Sequence, residues 1–293
     1  HMIKPISLYS SEIWGTFNLK SSKFGNDVLL DRIYSDLEPD KLHMKITKFI
    51  LGVNRKSSNF AVLSELGRFP IYISIVKNLL NYYFRIENMP EDSLLYKALQ
   101  TSKDLDDKNH NSWYSSVRHL CKIIDLPSNF INFSKYKFRK CLLNCLKVSY
   151  VKSWENAYSQ NSQGKLRTYC QFKTSFCKEN YLNILKNFDL RKAITKFRIS
   201  SHRLKIETGR YSKLEVHQRI CDKCDLNKVE DELHFLIECP VYSKDRDMLF
   251  DLIFKECKNF YSLDMVNKFI WLLNCESINI LKQLGYFLSK HLP

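Results

Sequence analysis

Four metal-binding side chains stand at the spacing Cys-x2-Cys-x9-His-x4-Cys in the stretch Cys221-Asp-Lys-Cys224-Asp-Leu-Asn-Lys-Val-Glu-Asp-Glu-Leu-His234-Phe-Leu-Ile-Glu-Cys239. Thiolate and imidazole are donors that tetrahedral zinc prefers, and four protein ligands leave no position for a reactive water. Cysteine is also a common buried residue, but this Cys-x-x-Cys lies in a polar stretch, 220–225, that offers little core. The sequence therefore predicts one structural Zn²⁺ per chain, with free thiols as the alternative.

We expect Cys221 and Cys224 to lie on a tight turn and a short helix, 230–238, to present His234 and then Cys239. His217 lies four residues before the first cysteine, but the four predicted ligands already complete the zinc shell. His217 is therefore expected not to bind metal. The knuckle as a whole spans 221–239.

Outside this stretch the apolar pattern is helical almost throughout. Leu42, Ile46, Phe49 and Ile50 recur at the spacing of one helix face, and only seven glycines and seven prolines interrupt 293 residues. Helix-start residues such as Ser93 and Ser134 support this interpretation. The sequence predicts a mainly α fold with two helical subdomains and a small CCHC zinc knuckle in the C-terminal one.

A polar stretch, 159–165, is the best linker in the sequence, so we place one helical subdomain at 40–158 and the other at 166–293. After the linker, helices are expected at 166–172, 179–185, 190–200, 242–257, 263–274 and 278–291. Residues 201–220 are expected to form a non-helical loop.

The net charge is +15, and its distribution is uneven. Residues 133–173 contain nine Lys or Arg and one acid, and residues 186–219 contain ten against three. Such a field attracts polyanions, although a charge run can also be only a solvated face. Aromatic residues interleave with these cations and could stack on unpaired bases, or could belong to the core: Tyr136, Phe138, Tyr150, Trp154, Tyr169, Phe172 and Tyr211.

Several other functional classes have no support in the sequence. It contains no Gly-rich phosphate loop, no Gly-x-Ser-x-Gly and no His-Glu-x-x-His, so we expect neither an enzyme nor a small-molecule substrate. The ten cysteines are dispersed, which is typical of a reducing compartment. No apolar run reaches the roughly 18–20 residues of a membrane span, so no membrane partner is expected.

Three stretches of sequence carry a family resemblance. Phe197-Arg-Ile-Ser-Ser-His-Arg-Leu-Lys-Ile-Glu-Thr-Gly-Arg-Tyr211, followed by the Cys-Cys-His-Cys unit ending in Glu232-Leu-His-Phe-Leu-Ile-Glu-Cys-Pro240, resembles the C-terminal region of LINE-type non-LTR retrotransposon reverse transcriptases. Lys4-Pro-Ile-Ser-Leu-Tyr-Ser-Ser-Glu-Ile-Trp-Gly15 resembles the end of their thumb, so 3–39 is expected to be a thumb-like segment. The chain departs from the family at Ser10, where glycine is frequent, and in its nine-residue Cys-to-His spacing.

The resemblance implies a role in target-primed reverse transcription, in which the element copies its RNA at a nicked chromosomal site. The polymerase motif of a Tyr or Phe before Asp-Asp is absent here, so this region is expected to be non-catalytic. Its implied partners are RNA or DNA and the polymerase part of the same polyprotein. Its implied location is the nucleus, with a cytoplasmic ribonucleoprotein stage.

The leading hypothesis is a nucleic-acid-binding region that holds template RNA or target DNA. The alternative is a structural or protein-interaction module that docks onto the polymerase core, or a domesticated element-derived protein, without nucleic-acid binding. The predicted nucleic-acid contacts form three patches: Arg198, His202, Arg203, Lys205, Arg210 and Tyr211; Arg167, Tyr169 and Lys173; and Lys135, Lys137, Arg139 and Lys140.

Overall fold

The computed structural model describes residues 3–16, 19, 30–159 and 164–293, and it is mainly α-helical, which confirms the predicted fold class. Residues 160–163 of the predicted linker, and 17–18 and 20–29 of the predicted thumb-like segment, lie outside the described residues. Within the described part, β-type pairing is limited to an isolated antiparallel bridge between Ile220 and Val229. In chain order the α-helices are α1 (Ile3–Ser7), α2 (Ser11–Trp14), α3 (Leu30–Tyr34), α4 (Glu38–Leu51), α5 (Asn59–Leu66), α6 (Tyr72–Glu87), α7 (Leu94–Asp107), α8 (Trp113–Ile123), α9 (Lys135–Ser159), α10 (Tyr169–Phe172), α11 (Tyr181–Ile184), α12 (Phe188–Arg198), α13 (Lys205–Thr208), α14 (Ser243–Glu256), α15 (Met265–Leu273) and α16 (Ile278–His291).

Serine caps begin two of the long helices where the sequence predicts them. The Ser93 hydroxyl accepts a hydrogen bond from the backbone N–H of Tyr96 at 3.3 Å, at the start of α7. The Ser134 hydroxyl accepts one from the N–H of Lys137 at 3.3 Å, at the start of α9. Each cap satisfies a backbone donor that the first helical turn leaves free.

The chain forms two compact units, here called the first unit (residues up to Lys45, with Phe69–Asn156) and the second unit (Ile46–Arg68, with Ala157–Pro293). In the first unit the core lies around α6 and α9, where the rings of Phe84 and Phe138 stack with centroids 4.1 Å apart. In the second unit α12 packs closely on α16. A Cβ at Gly285 of α16 would lie 2.9 Å from the Cβ of Leu190, so only glycine allows this approach.

Residues 46–68 belong to the second unit, whereas the sequence pattern predicts them in the subdomain 40–158. The physical reason is Glu65 of α5, which is fully buried and pairs with the guanidinium of Arg198. The Nε of Arg198 lies 3.1 Å from the Oε2 of Glu65. The Tyr181 hydroxyl donates to the same carboxylate at 2.6 Å. A buried carboxylate requires such partners, and they lie more than a hundred residues away in the sequence.

The predicted loop 201–220 is wrong in detail, because it contains the short helix α13 and a 3₁₀ turn at Val216–Gln218. The helices predicted at 166–172 and 179–185 are shorter than expected, at four residues each. By contrast, α16 has the bounds that the sequence predicts. No helix in the described part of the chain has the length and apolar character needed to cross a membrane.

Replacing Arg198 with methionine should lower the free energy of unfolding by about 3–5 kcal/mol, because Glu65 is left as a buried charge without its partner. Adding Glu65→Gln should recover part of this loss, since the unpaired charge disappears. Urea unfolding followed by circular dichroism measures both effects. The exposed Lys282→Met on α16 is the control and should stay within about 0.5 kcal/mol of the parent protein; an Arg198→Met variant as stable as this control would contradict the prediction.

Candidate metal centre

A short hairpin positions the first two ligands. The N–H of Cys221 donates to the carbonyl of Lys228 at 2.9 Å, and the N–H of Glu230 donates to the carbonyl of Arg219 at the same distance. Asn227 takes a left-handed conformation, φ 50°, as the chain returns. These bonds close the loop 221–228 and hold Cys221 and Cys224 on one tight turn, as the Cys-x-x-Cys spacing predicts.

A cap and a widened helical turn position the other two ligands. The carboxylate of Asp231 accepts a hydrogen bond from the N–H of His234 at 2.8 Å. The turn that follows, His234–Glu238, is π-helical, and the N–H of Cys239 donates to the carbonyl of His234 at 2.8 Å. The predicted helix 230–238 is therefore a capped π-turn, and it brings Cys239 back towards the histidine.

The structure brings together all four side chains that the sequence predicts as ligands. One donor atom from each of Cys221, Cys224, His234 and Cys239 lies within 4.8 Å of every other, and the Cys224 Sγ is 3.4 Å from the His234 Nε2. A tetrahedral site with Zn–S near 2.3 Å and Zn–N near 2.0–2.1 Å would place its donors roughly 3.5–3.8 Å apart. The cluster therefore fits a metal ion, and its three sulfurs and one imidazole are the donor set that zinc favours.

Burial favours the protonated thiols of Cys221 and Cys239 in the absence of a metal. It raises the pKa of the Cys221 thiol and raises that of Cys239 to about 12. Metal binding must release these protons, and its free energy is then coupled to the folding of the loop.

Glu238 is a functional residue that the sequence-based prediction missed. Its Oε2 lies 3.4 Å from the Nδ1 of His234, so it orients the ring with Nε2 facing the cluster. Lys228 pairs with its other oxygen at 2.9 Å. The signal was present in the sequence, since a carboxylate four residues after a histidine lies on the same helix face.

His217 is exposed and lies outside the cluster, as expected.

Glu232 ties the metal loop to the rest of the second unit. Its side chain is buried, and it accepts hydrogen bonds from the Ser200 hydroxyl at 2.7 Å and the Thr168 hydroxyl at 2.9 Å. The Arg167 guanidinium binds it at 2.8 Å and the His202 Nε2 at 3.0 Å. Burial alone would raise the pKa of Glu232, but the hydrogen bond and charge of His202, with the charge of Arg167, hold it well below its usual range.

The metal loop also fixes the start of α13. The carboxylate of Glu230 accepts from the N–H of Lys205 at 2.8 Å, and its carbonyl accepts from the N–H of Ile206 at 3.1 Å. The Arg219 guanidinium donates to the carbonyl of Ile206 at 2.8 Å. The start of α13 is thus held by Glu230, which precedes the histidine, and by the side chain of Arg219, which precedes the cysteines.

A cleft of about 530 Å³ lies in the second unit next to this segment. We call it the basic cleft. Gly52 forms part of its wall with φ +66°, and a Cβ there would lie 2.8 Å from the Cγ of Lys192. Within the described part of the chain none of its five cations has a salt bridge. These cations are Lys56, Lys165, Lys192, Lys196 and Arg203.

Crowding of like charges is visible in the pKa values of the cleft. Burial lowers the pKa of Lys196, and the charges of Lys192 and Arg203 lower it further. Burial also lowers the pKa of Lys165, where Glu207 opposes the shift and Arg210 adds to it. The cleft therefore has an excess of positive charge, with Glu207 as its one lining side-chain carboxylate among the described residues.

The first predicted patch is divided by the structure. Arg203 is exposed in the cleft, and Tyr211, which lines it, is 72% exposed. Lys205 pairs with Asp222 at 3.1 Å and Arg210 with Glu207 at 3.6 Å, so both cations are partly neutralised. Two members are corrected: Arg198 and His202 are buried, with their side chains occupied by carboxylates, and neither is available to a phosphate.

The second predicted patch is also corrected. Tyr169 is fully buried, Lys173 is 4% exposed and pairs with Glu179, and Arg167 is occupied by Glu207 and Glu232. These residues stabilise the second unit.

The third patch does lie at the surface, with Lys135, Lys137, Arg139 and Lys140 exposed on α9. Most of the aromatic rings that interleave with the cations belong to the core and are not free to stack on bases. Phe138, Tyr150, Trp154, Tyr169 and Phe172 are buried.

Four of the five cleft cations were missed as individual residues. Lys192 and Lys196 lie four apart within the basic run 186–219, so they had a signal: a shared face of α12. Lys56 had no such signal, because it comes from the segment 46–68, which the sequence pattern predicts in the subdomain 40–158.

Comparisons of the chain with protein-family models, with curated proteins and with solved structures find no match. The function is therefore inferred from the metal cluster and the cleft, together with the resemblance carried by residues 4–15, 197–211 and 221–240.

Glu238→Gln should weaken zinc binding about 10–100-fold, because the histidine loses the carboxylate that orients it. The affinity is measured by adding zinc-free protein to a zinc-loaded dye and following the transfer of zinc from the dye to the protein. The exposed Glu91→Gln should bind like the parent, and His234→Ala should lose the site. Parent protein that takes up no zinc, or a Glu238→Gln variant equal to it, would contradict the assignment.

Proposed function

We propose that this chain is the zinc-stabilised, non-catalytic, nucleic-acid-binding C-terminal region of a LINE-type reverse transcriptase. In this role it holds template RNA or target DNA during target-primed reverse transcription, while the polymerase part of the polyprotein performs the chemistry. The observation that carries the proposal is the basic cleft of the second unit, with five cations that have no salt bridge in the described part of the chain.

A polyanion is the ligand that the electrostatics of the cleft favour. Burial lowers the pKa of Lys196, and the nearby charges of Lys192 and Arg203 lower it further, so the cleft disfavours its own positive charge. Phosphates along a nucleic-acid backbone would relieve the repulsion at several points at once. Each neutralised phosphate also releases counterions, so binding would weaken steeply with salt.

Tyr211 gives the cleft a means of holding a base. Its ring is 72% exposed, and the ammonium of Lys56 lies 5.6 Å from the ring centroid. A base stacked on such a ring gains roughly 1–3 kcal/mol without sequence-specific hydrogen bonds. The tyrosine and lysine together would hold an unpaired nucleotide at the edge of the cleft.

Zinc would act as a brace and not as a reagent. Its four positions would be filled by Cys221, Cys224, His234 and Cys239, so no site remains for an activated water. The loop that it closes carries Glu230 and Glu232, which hold α13 and His202. Bound zinc would therefore keep the wall of the basic cleft in place.

The resemblance supports the same conclusion from another direction. The stretch 197–211, which most resembles LINE-type reverse transcriptases, supplies Arg203 and Tyr211 to the cleft. A nuclear location, with a cytoplasmic ribonucleoprotein stage, follows from that proposal.

A docking module remains the second candidate function. The observation in its favour is a group of exposed apolar side chains on α14, α15 and the turn between them, where protein contacts would bury apolar area. These residues are Phe254, Tyr261, Met265 and Val266, each 44–48% exposed.

The double variant Lys196→Glu/Arg203→Glu should weaken binding of a 12-nucleotide RNA at least tenfold at about 0.1 M salt. The slope of log affinity against log salt should become shallower by about 1 for each phosphate that the variant no longer neutralises. Fluorescence anisotropy with RNA, single-stranded DNA and duplex DNA measures both quantities.

The control carries the same charge change outside the cleft, Lys244→Glu/Lys282→Glu, on exposed positions of α14 and α16. It should lose much less affinity. Parent protein whose affinity does not change with salt, or cleft and control variants that behave alike, would refute nucleic-acid binding by the cleft. Parent protein that binds the polymerase part but no nucleic acid would favour the docking module.

A further inference from the structure

We infer that the first unit carries a second nucleic-acid site, specific for an unpaired strand, in a groove between α6 and the start of α9. This groove has a volume of about 1030 Å³. We call it the α6–α9 groove and define it by Lys77, Asn81, Tyr82, Arg85, Phe133 and Arg139. The inference extends the proposed function to the first unit, and its test allows either site to fail alone.

The groove has an excess of positive charge. Its cations come from both walls, Lys77 and Arg85 from α6 and Lys135 and Arg139 from α9, while Glu12 is its one carboxylate among the described residues. Within that part of the chain none of the four cations has a salt bridge. A ligand with several negative charges would therefore complement the groove.

The start of α9 adds to the same imbalance. The positive end of a helix dipole usually carries acidic side chains, yet the first turn of this 25-residue helix has none. Instead, Lys135, Lys137, Arg139 and Lys140 fall within its first six residues. This placement costs stability in the free protein, and an anion lying in the groove would offset it.

A row of polar side chains runs along the wall formed by α6. Asn78, Asn81, Arg85 and Asn88 are spaced by three or four residues and so share one face over on the order of 15 Å. The side-chain N–H groups of Asn81 and Asn88 donate to the backbone carbonyls of Lys77 and Phe84 at 2.7 and 2.8 Å. These bonds hold the amides in place, and the amide oxygens remain available as acceptors for base N–H groups.

Aromatic surfaces lie beside this row. The guanidinium of Arg85 lies 5.6 Å from the ring centroid of Tyr82, and the ammonium of Lys137 lies 4.1 Å from that of Phe133. Tyr82 is also held edge-on by Trp113, with centroids 6.0 Å apart. Flat, fixed groups of this kind are the surfaces on which bases stack.

Together these groups match an unpaired strand better than a duplex. A duplex presents its phosphates and hides the faces and pairing edges of its bases, so it would use only the cations. An unpaired strand would place phosphates on Arg85 and Arg139, base faces on the rings and base edges on the asparagines. An acidic peptide would meet the cations and could pair its backbone N–H groups with the amides, but it carries no regular series of flat bases for the rings.

The test compares a fluorescently labelled 12-nucleotide oligo(U) with a duplex RNA of equal length, using the whole chain with zinc bound. In a background that already carries Lys196→Glu/Arg203→Glu, so that the basic cleft no longer contributes, Arg85→Glu/Arg139→Glu should weaken the remaining oligo(U) binding at least tenfold. The uncharged change Asn81→Ala should weaken oligo(U) binding about threefold to tenfold and leave duplex binding unchanged. Lys122→Glu/Lys152→Glu, at exposed positions of α8 and α9, matches the charge change outside the groove and should have a much smaller effect.

A second measurement locates the contact directly. Oligonucleotides containing 4-thiouridine, crosslinked by light, should attach to the peptide containing Tyr82 or Phe133 in addition to the one containing Tyr211. Oligo(U) binding that responds only to the basic-cleft variant, with no crosslink in the first unit, overturns this inference and leaves the proposed function intact. Poly-glutamate that displaces oligo(U) from the groove at equal charge concentration would also overturn it, in favour of an acidic peptide.

Discussion

The buried carboxylate of Glu232 is the constraint on which the second unit depends. A charge removed from water must be paired and hydrogen-bonded, and this one is satisfied by Arg167, Thr168, Ser200 and His202. Those partners come from the segment before α10 and from the segment after α12, while Glu232 itself lies two residues before a metal ligand. One ionised group therefore fixes the metal loop against two other parts of the chain.

This constraint also decides which cations are left for function. The buried acids Glu65, Glu207 and Glu232 are paired by Arg198 and Arg167, whose planar guanidinium groups can bind two oxygens at once. The cleft retains mostly lysines, which have no salt bridge in the described part of the chain. The protein thus separates its positive charge into a buried, ion-paired set that stabilises the fold and a set of half-buried and exposed cations that can meet phosphates.

That separation explains how far the sequence could be interpreted. The four metal ligands and the long helices depend on short-range spacing, so Cys221, His234 and the bounds of α16 could be predicted from local patterns. Whether an arginine is buried depends on where its acid lies, and Glu65 is 133 residues from Arg198. The same distance explains why the sequence pattern does not join the segment 46–68 to the second unit, and why it does not assign Lys56 to the cleft.

The π-turn at His234–Glu238 shows where local regularity gives way to the needs of the site. In an α-helix a residue five positions on lies about 140° around the axis, so Cys239 would face away from the imidazole. The wider turn, closed by the bond from the Cys239 N–H to the His234 carbonyl, returns the cysteine to the ligand side. The carboxylate of Glu238 remains within 3.4 Å of the His234 Nδ1 and so orients the ring. A helical segment gives up its preferred hydrogen bonding only when other interactions offset the loss, and here a four-coordinate metal would supply that compensation.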